Sequence, residues 1–377
     1  MKIIIAGDFA SRGRISKQID ERLFANTFPA ELRTIIESAD YSIVNFESPV
    51  IDKGYEPIFK CGPNLGCSQE SVNAIRYAGF NCVTLANNHI LDFGAKGLYK
   101  TLECCETKGI NAVGVGDNLE KAGEVLYLDN GGESLAVINC CEQEFSIATE
   151  TEPGANPLNP IRQYYAIQQA KVKANHILVV VHGGHEYFQL PSPRMQQTYR
   201  FFIDAGADAV INHHQHCYSG FEIYKGKPVF YGLGNFCFDG LNTSPDSWYE
   251  GYLVQLEFNN ECVTPILYPY VQCRNEASIQ LLKDRTEFDN KIRELNEIIS
   301  DSRKLHKAVE EYYLSATQTI SALYQPYENR IFNKLYRLHI LPALVSRRKF
   351  AQILNYLRCE AHRDKQVLVL QQILNNK

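Results

Sequence analysis

Six short apolar runs in this chain each lead to a side chain that can bind a metal ion or a polar substrate. Uninterrupted apolar runs of this length, bounded by glycine and polar residues, are typical of strands that are buried on both faces. In open α/β sheets, ligands bind just outside the carboxyl ends of such strands. The side chains at the six run ends are Asp8, Glu47, Asn88 followed by His89, His182, His214 with His216, and Asn235. Their repetition at one structural position predicts a single site.

The predicted metal ligands are two carboxylates, one amide oxygen and three imidazoles: Asp8, Glu47, Asn88, His182, His214 and His216. A mixed set of oxygen and nitrogen donors favours Mn²⁺, Zn²⁺ or Fe over Mg²⁺ and Ca²⁺. A carboxylate such as that of Glu47 can lie between two ions about 3.5–4 Å apart. We therefore predict a site for two divalent metal ions. The alternative is a degenerate site without metal, in which Asp8 only caps a helix.

The predicted catalytic pair is His89 and Asp92. His89 adjoins a metal ligand and can donate a proton to a leaving group, and Asp92, three residues later, can orient its imidazole ring. Arg12 and Arg14, after the first run, could bind an anionic substrate. His185, Glu186 and Asn235 are further candidates for contact with the substrate, and His185 and Glu186 could instead support the metal ligands. The alternative for the arginines, His185 and Glu186 is an ordinary solvated surface position.

Composition and charge limit the classes of protein that this chain can represent. Its 377 residues, 45% hydrophobic and 21% charged, are typical of a globular protein of one or two domains. No apolar run is long enough to span a membrane and no Sec-type signal is visible, so we expect a cytoplasmic protein. Residues 276–377 have a net charge of +5, whereas residues 1–275 have about −10. Basic and aromatic residues are not interleaved as in single-strand binders, so no nucleic-acid partner is predicted.

Two regions differ in their hydrophobic pattern. From residue 1 to about 240, apolar runs alternate with amphipathic helical stretches, which predicts an α/β fold with a largely parallel core. Turn residues at 129–132, 225–228 and 259–260 predict hairpins, so we expect a two-sheet sandwich with helices outside. In residues 276–377 the spacing is helical, with Leu281, Phe288, Ile292, Leu295 and Ile299 on one face. We therefore predict a domain over 1–275 and a basic helical extension over 276–377.

The basic stretch 330–358 contains seven arginines and lysines among Ile, Leu, Phe and Tyr. Such a stretch either packs on the sandwich or binds a partner of opposite charge. An anionic membrane surface and an acidic protein or polymer are the partners that this pattern fits. The predicted location is therefore cytoplasmic, either free or peripheral at the inner membrane face.

The motifs around the run ends resemble those of the CapA family of poly-γ-glutamate capsule synthesis proteins, a branch of the calcineurin-like metallophosphatase superfamily. The matching segments cover roughly residues 1–270 and include Ala6-Gly7-Asp8, Asn45-Phe46-Glu47, Asn87-Asn88-His89, His182-Gly183-Gly184-His185-Glu186-Tyr187, His213-His214-Gln215-His216 and Gly234-Asn235-Phe236. The resemblance implies a four-layer αββα sandwich, and it divides the ligands between two ions. Asp8 and His216 would hold the first ion, and Asn88, His182 and His214 the second, with Glu47 between them.

This chain departs from the family pattern at three positions. Many metallophosphatases carry a further ligand of the first ion two residues after the aspartate, where this chain has Ala10. The first site therefore has only three predicted protein ligands and is expected to be the weaker one. Asn212 and Gln215 stand where the family usually has glycine and proline, which changes the freedom of the backbone but not the ligand chemistry.

The function that these features favour is a metal-dependent hydrolase or transferase in the synthesis or processing of a capsule-type polymer such as poly-γ-glutamate. One alternative is a cytoplasmic phosphoesterase that acts on a small phosphate ester. The other is a non-catalytic binding or scaffold component of a capsule or glycan assembly machine. The expected substrate is accordingly either an anionic polymer or a phosphate ester.

Overall fold

The computed structural model describes residues 1–60, 62–240, 244–258, 263–358 and 370. The chain forms two compact units, Met1–His306 and Lys307–Lys377. The boundary predicted at residue 275 falls within the larger unit, and the separate extension over 276–377 stays a prediction. No helix in the described ranges is both long enough and apolar enough to cross a membrane.

The strands lie mainly in the first 282 residues and are listed here in chain order: β1 (Lys2–Ala10), β2 (Tyr41–Phe46), β3 (Cys82–Thr84), β4 (Asn111–Val113), β5 (Val115–Gly116), β6 (Leu126–Asp129), β7 (Ser134–Cys141), β8 (Gly154–Ala155), β9 (His176–His182), β10 (Ala209–His213), β11 (Phe221–Tyr224), β12 (Lys227–Phe230), β13 (Asn235–Phe238), β14 (Glu250–Phe258), β15 (Val263–Gln272) and β16 (Ile279–Leu281). Eight of them form a large sheet in the order β16-β15-β14-β1-β2-β3-β4, with β13 also paired to β1. Six form a second sheet in the order β11-β12-β10-β9-β7-β6, and β5 pairs with β8.

The centre of each sheet is parallel and its edges are antiparallel. Strands β1 to β4 run parallel in the large sheet, as do β7, β9, β10 and β12 in the second. The carboxyl ends of parallel neighbours therefore lie at one edge of each sheet. The two sheets contact each other through polar side chains, since Asn139 of β7 accepts a hydrogen bond from the Ala86 N–H, which follows β3, at 2.8 Å.

The helices of the larger unit form the outer layers of the sandwich. They are α1 (Gly13–Asp20), α2 (Phe24–Thr27), α3 (Ala30–Glu37), α4 (Glu70–Tyr77), α5 (Gly94–Thr107), α6 (Leu119–Ala122), α7 (Pro160–Lys173), α8 (Pro193–Ala205) and α9 (Thr286–Ser300). The buried faces of α1, α3, α4 and α5 share one core with the large sheet, whereas α7 and α8 contact strands of the second sheet. This arrangement confirms the predicted four-layer αββα sandwich. The remaining helices are α10 (Ser302–Ser315), α11 (Thr317–Leu323), α12 (Arg330–Arg337) and α13 (Arg347–Arg358).

Local signals in the sequence account for several of these elements. The hairpin turns predicted at 129–132 and 225–228 join β6 to β7 and β11 to β12. The turn predicted at Asn259 and Asn260 lies outside the described residues, and the strands on either side of it, β14 and β15, pair antiparallel. On α9 the predicted face of Phe288, Ile292, Leu295 and Ile299 is buried. Leu281, predicted for the same helical face, lies instead in the short edge strand β16.

Candidate metal centre

Asp8 lies at an irregularity within β1. It was predicted to follow the first strand, but the strand continues to Ala10. The pairing of β1 with each of its parallel neighbours, β2 and β13, shifts register beside Asp8. Such a bulge redirects a side chain out of the regular pleat. Gly7 permits the close approach behind it, because a Cβ there would lie 1.8 Å from the Gly234 carbonyl oxygen. The Asp8 carboxylate accepts hydrogen bonds from Asn45 Nδ2 at 2.7 Å and from the His214 N–H at 3.2 Å.

Glu47 follows β2 and is completely buried. Neither of its carboxylate oxygens has a hydrogen-bond partner among the residues that the structure describes. A buried carboxylate without partners is costly, so its presence indicates a missing positive ligand. Three imidazole Nε2 atoms surround its Oε1 atom, those of His182 at 3.5 Å, His216 at 3.7 Å and His89 at 3.9 Å.

One donor group consists of Glu47, Asn88, His182 and His214. We call it the second group, because it corresponds to the second of the two ions that the resemblance implies. The Nε2 atom of His182 lies 3.0 Å from Asn88 Oδ1 and 3.1 Å from His214 Nδ1. Donor atoms bound at about 2.0–2.2 Å to one tetrahedral ion are separated by about this distance. The second group therefore fits a single divalent ion with two imidazoles, one amide oxygen and one carboxylate.

The other donor group, the first group, consists of Asp8, Glu47 and His216, whose ligand atoms lie within 4.8 Å of one another. Asn235 orients the imidazole of His216, because Asn235 Oδ1 accepts a hydrogen bond from His216 Nδ1 at 2.9 Å. The His216 Nε2 atom is thereby left facing Glu47. The amide nitrogen of Asn235 donates to backbone carbonyl oxygens of His216 and Trp248. Asn235 thus positions a ligand in this structure, and its predicted contact with substrate stays a prediction.

Burial determines the charge states in both groups. It raises the pKa of Asp8 from 3.8 to about 7. It also raises the pKa of Glu47, and the negative charge of Asp8 raises that pKa further. Burial lowers the pKa of His216 to about 3 and that of His182 well below its usual value. The imidazoles are therefore in the neutral form that binds metals, whereas the carboxylates need a nearby cation to ionise. Both features fit a site built for divalent ions.

The backbone between the two groups adopts an uncommon conformation. His214 and His216 have φ angles of 91° and 53°, a region that non-glycine residues rarely occupy. Each such residue costs about 1–3 kcal/mol, and such residues cluster at functional sites. Gln215, between them, holds the turn in place, because its Nε2 donates to the Phe188 carbonyl oxygen at 2.9 Å.

The two residues predicted as a catalytic pair, His89 and Asp92, lie in contact, and their catalytic role stays a prediction. His89 Nδ1 lies 2.6 Å from Asp92 Oδ2, so that the ring directs Nε2 toward Glu47. Asp92 also accepts a hydrogen bond from the Leu65 N–H at 2.6 Å and forms an ion pair with Lys60. The side chain of Lys60 is only 2% exposed, and sequence patterns gave no signal for it. The ammonium group of Lys60 thus lies beside the carboxylate that contacts His89.

The remaining predicted substrate contacts occupy different surroundings. The Arg12 guanidinium lies 5.6 Å from the centre of the Phe238 ring, which packs edge-on against His216. The Arg14 guanidinium is bound to the Asp239 carboxylate and to backbone carbonyl oxygens. His185 is partly buried, which lowers its pKa. The structure thus brings Arg12 near the metal centre but engages Arg14 in an internal ion pair, and substrate binding by Arg12, Arg14 and His185 stays a prediction.

Three further polar residues contact the centre without having been predicted. Asn45 donates to Asp8 and lies 3.1 Å from His182 Nδ1. Glu144, beyond the carboxyl end of β7, accepts a hydrogen bond from Asn88 Nδ2 at 3.0 Å. His213 is buried with both ring nitrogens unpaired among the described residues, and its Nδ1 lies 3.6 Å from Asp8 Oδ1. The rule of strand ends would have found Glu144. Asn45 lies in β2, two residues before Glu47.

The fold and the two donor groups define an αββα sandwich protein with a cluster of buried side chains near the carboxyl ends of its strands that could hold a divalent metal ion. The chain belongs to the family of bacterial capsule synthesis proteins PGA_cap, which matches residues 2–240. This match confirms the resemblance that the motifs indicated.

Curated relatives carry names from the same field. The capsule biosynthesis protein CapA of Bacillus anthracis is 35% identical over 244 residues, which are 62% of this chain and 59% of that protein. The PGA biosynthesis protein CapA of Bacillus subtilis (strain 168) is 32% identical over 240 residues, which are 62% of this chain and 63% of that protein. The chain thus spans about three-fifths of the length of these relatives. A solved structure of a novel phosphatase from Mycoplasma pneumoniae matches 72% of this chain and 93% of that chain, with 15% identity and a TM-score of 0.45.

Proposed function

We propose that this protein is a metal-dependent hydrolase or transferase that acts on a capsule-type polymer such as poly-γ-glutamate, with two divalent ions, Mn²⁺, Zn²⁺ or Fe, in its site. The carboxylate of Glu47 carries the proposal, because it is buried, lacks hydrogen-bond partners among the described residues and belongs to both donor groups. The names of the Bacillus relatives, which refer to capsule and PGA biosynthesis, support the choice of polymer.

The metal ions and the residues around them would have different roles in this reaction. Bound divalent ions would supply the positive charge that activates water and stabilises negative charge on the attacked group. His89, oriented by Asp92, would give the proton on Nε2 to the leaving nitrogen or oxygen. Arg12, near the rim, would attract the anionic groups of the polymer.

Nine described cysteines are free, which supports a reducing, cytoplasmic location.

The decisive experiment measures the length of a defined poly-γ-glutamate after incubation with the purified protein and Mn²⁺. We expect shortening of the polymer, or transfer of its chains to an added amine, and we expect a chelator or the Glu47→Gln variant to abolish it. An unchanged polymer under all metal conditions would contradict the proposal.

A phosphoesterase is the second candidate function. The His89–Asp92 pair beside the two donor groups favours it, because this arrangement also suits displacement at phosphorus. The same samples should then hydrolyse bis(p-nitrophenyl) phosphate while leaving the polymer intact. A protein that binds Mn²⁺ but converts neither substrate would instead be a binding or scaffold component.

A further inference from the structure

The first donor group is short of ligands from the protein. Asp8, Glu47 and His216 provide three donor residues, whereas Mn²⁺ and Fe commonly take more than four ligands. Ala10, two residues after Asp8, has no donor atom and is buried in a small core with Leu65, Phe238 and Trp248. Any further protein ligand would therefore have to come from another segment.

Glu186 is placed to fill this gap. A carboxylate oxygen of Glu186 and ring nitrogens of His214 and His216 lie within 4.8 Å of one another. His216 belongs to the first group and His214 to the second, so Glu186 approaches both from the open side. Glu47 closes the buried side, and its unpaired oxygens lie among the same histidine rings.

Hydrogen bonds on both sides of Glu186 hold it beside the histidines. The Tyr187 N–H donates to the Gln215 carbonyl oxygen at 2.8 Å, and Gln215 Nε2 donates to the Phe188 carbonyl oxygen at 2.9 Å. The Gly184 N–H donates to Glu142 Oε2 at 3.1 Å. The loop that carries Glu186 is thus fastened to the turn that carries the two histidine ligands.

We propose that Glu186 is a protein ligand of the first ion, in place of the donor that Ala10 lacks. This inference rests on the dinuclear site of the proposed function. It replaces the assignment of Glu186 to substrate binding with a role in holding the metal. Because Glu186 is exposed, its carboxylate closes the coordination shell from the solvent side.

Metal binding to the purified protein tests this proposal without reference to catalysis. We expect the chelator-treated wild-type protein to take up two equivalents of Mn²⁺ in isothermal titration and elemental analysis. In Glu186→Gln, the weaker equivalent should bind at least about tenfold less tightly or be lost, and Glu186→Asp should lie between the two. The weakly coupled pair of Mn²⁺ ions should disappear from the electron paramagnetic resonance spectrum of Glu186→Gln.

Glu144→Gln is the matched control, because it removes one negative charge close to His214 but no member of either donor group, and its amide oxygen can still accept the hydrogen bond from Asn88. If charge alone mattered, both variants would weaken binding equally, and that result would overturn the proposal. Wild-type affinity and stoichiometry in Glu186→Gln would also overturn it, as would a wild-type protein that binds fewer than two ions. Failure of the polymer assay with intact binding of two ions would contradict only the proposed activity.

Discussion

At the scale of single residues, the metal centre places negative charge where solvent cannot reach it. Among the residues that the structure describes, Asp8 has two hydrogen-bond donors, Asn45 and the His214 backbone, and burial raises its pKa to about 7. In the absence of metal, the ionised form is therefore less stable in the folded protein than in the unfolded chain. A bound cation would offset this cost in stability, which the metal-free protein retains.

This argument predicts a pH dependence for the metal-free protein. The raised pKa of Asp8 contributes stability that is fully present below about pH 3.8 and is lost as pH rises to about 7. The free energy of unfolding of the wild type, relative to Asp8→Asn, should therefore fall between pH 5 and pH 7 by about 1.4 kcal/mol for each pH unit. Urea unfolding of both proteins in chelator measures this difference. A difference that does not vary with pH would contradict the prediction.

The orientation of His89 predicts a second effect. His89→Gln should lower kcat by about 10²- to 10⁴-fold on substrates with a poor leaving group, and much less on p-nitrophenyl esters, whose leaving group needs no proton. Bound Mn²⁺ should stay at the wild-type level, since His89 belongs to neither donor group. Asp92→Asn should show the same dependence on the leaving group with a smaller loss. An equal loss on both kinds of substrate would exclude proton donation.

The six predicted metal ligands could be recognised from the sequence because each lies at or near the end of an apolar run. Lys60 gave no such signal, because its ion pair with Asp92 joins two loop residues. His213 was part of a visible motif, but only the three-dimensional structure shows that its ring lies 3.6 Å from Asp8. Contacts between distant loops depend on the assembled fold and have no periodic pattern.

At the scale of secondary-structure elements, the approach of β1 to the Gly234 loop determines where Asp8 points. β1 pairs in parallel with β2 and β13 and shifts register at Asp8. Gly7 lies directly before the shift and faces the Gly234 carbonyl oxygen. The bulge and the glycine together direct the carboxylate toward the histidines of the second sheet.

Gly7→Ala should disturb both the fold and the site. Its Cβ would lie 1.8 Å from a backbone oxygen that cannot turn aside, so we expect a loss of about 1–3 kcal/mol or more in the free energy of unfolding. Binding of Mn²⁺ should weaken with it, because Asp8 moves. Gly132→Ala is the control, since its nearest atom would be 3.9 Å away, and its stability should change by less than about 0.5 kcal/mol. Urea unfolding and Mn²⁺ titration measure both effects, and equal behaviour of the two variants would contradict the prediction.

Elements with a strong local pattern were predictable, and those that depend on remote pairing were not. Helix α8 (Pro193–Ala205) is one of the helices expected between the apolar runs, and its start has local signals, because Pro193 begins it and the Ser192 side chain caps it. Leu281 lies in β16, a three-residue strand that exists only through its pairing with β15. Its spacing relative to α9 gave no information about that partner.

At the scale of the whole molecule, the excess of positive charge lies in the smaller unit. From Asn329 to Arg358 there are seven arginines and lysines and no aspartate or glutamate. Several large apolar side chains of the same stretch are exposed, among them Ile331 at 67%, Leu338 at 57% and Ile340 at 64%. Exposed apolar groups among unbalanced positive charge are typical of a segment that binds an anionic lipid surface.

We therefore propose that residues 330–358 bind anionic membranes. The full chain should sediment with vesicles that contain phosphatidylglycerol but not with pure phosphatidylcholine vesicles, and added salt should reduce binding. Replacing Arg347, Arg348 and Lys349 by glutamine should weaken binding about 100-fold, since each basic residue contributes about 1 kcal/mol near such a surface. The control replaces Lys17, Lys53 and Lys96, which are exposed on the larger unit, with the same change in net charge. Equal weakening in both triple variants would show non-specific attraction, and binding of an acidic polymer without binding to vesicles would assign the stretch to a polymer instead.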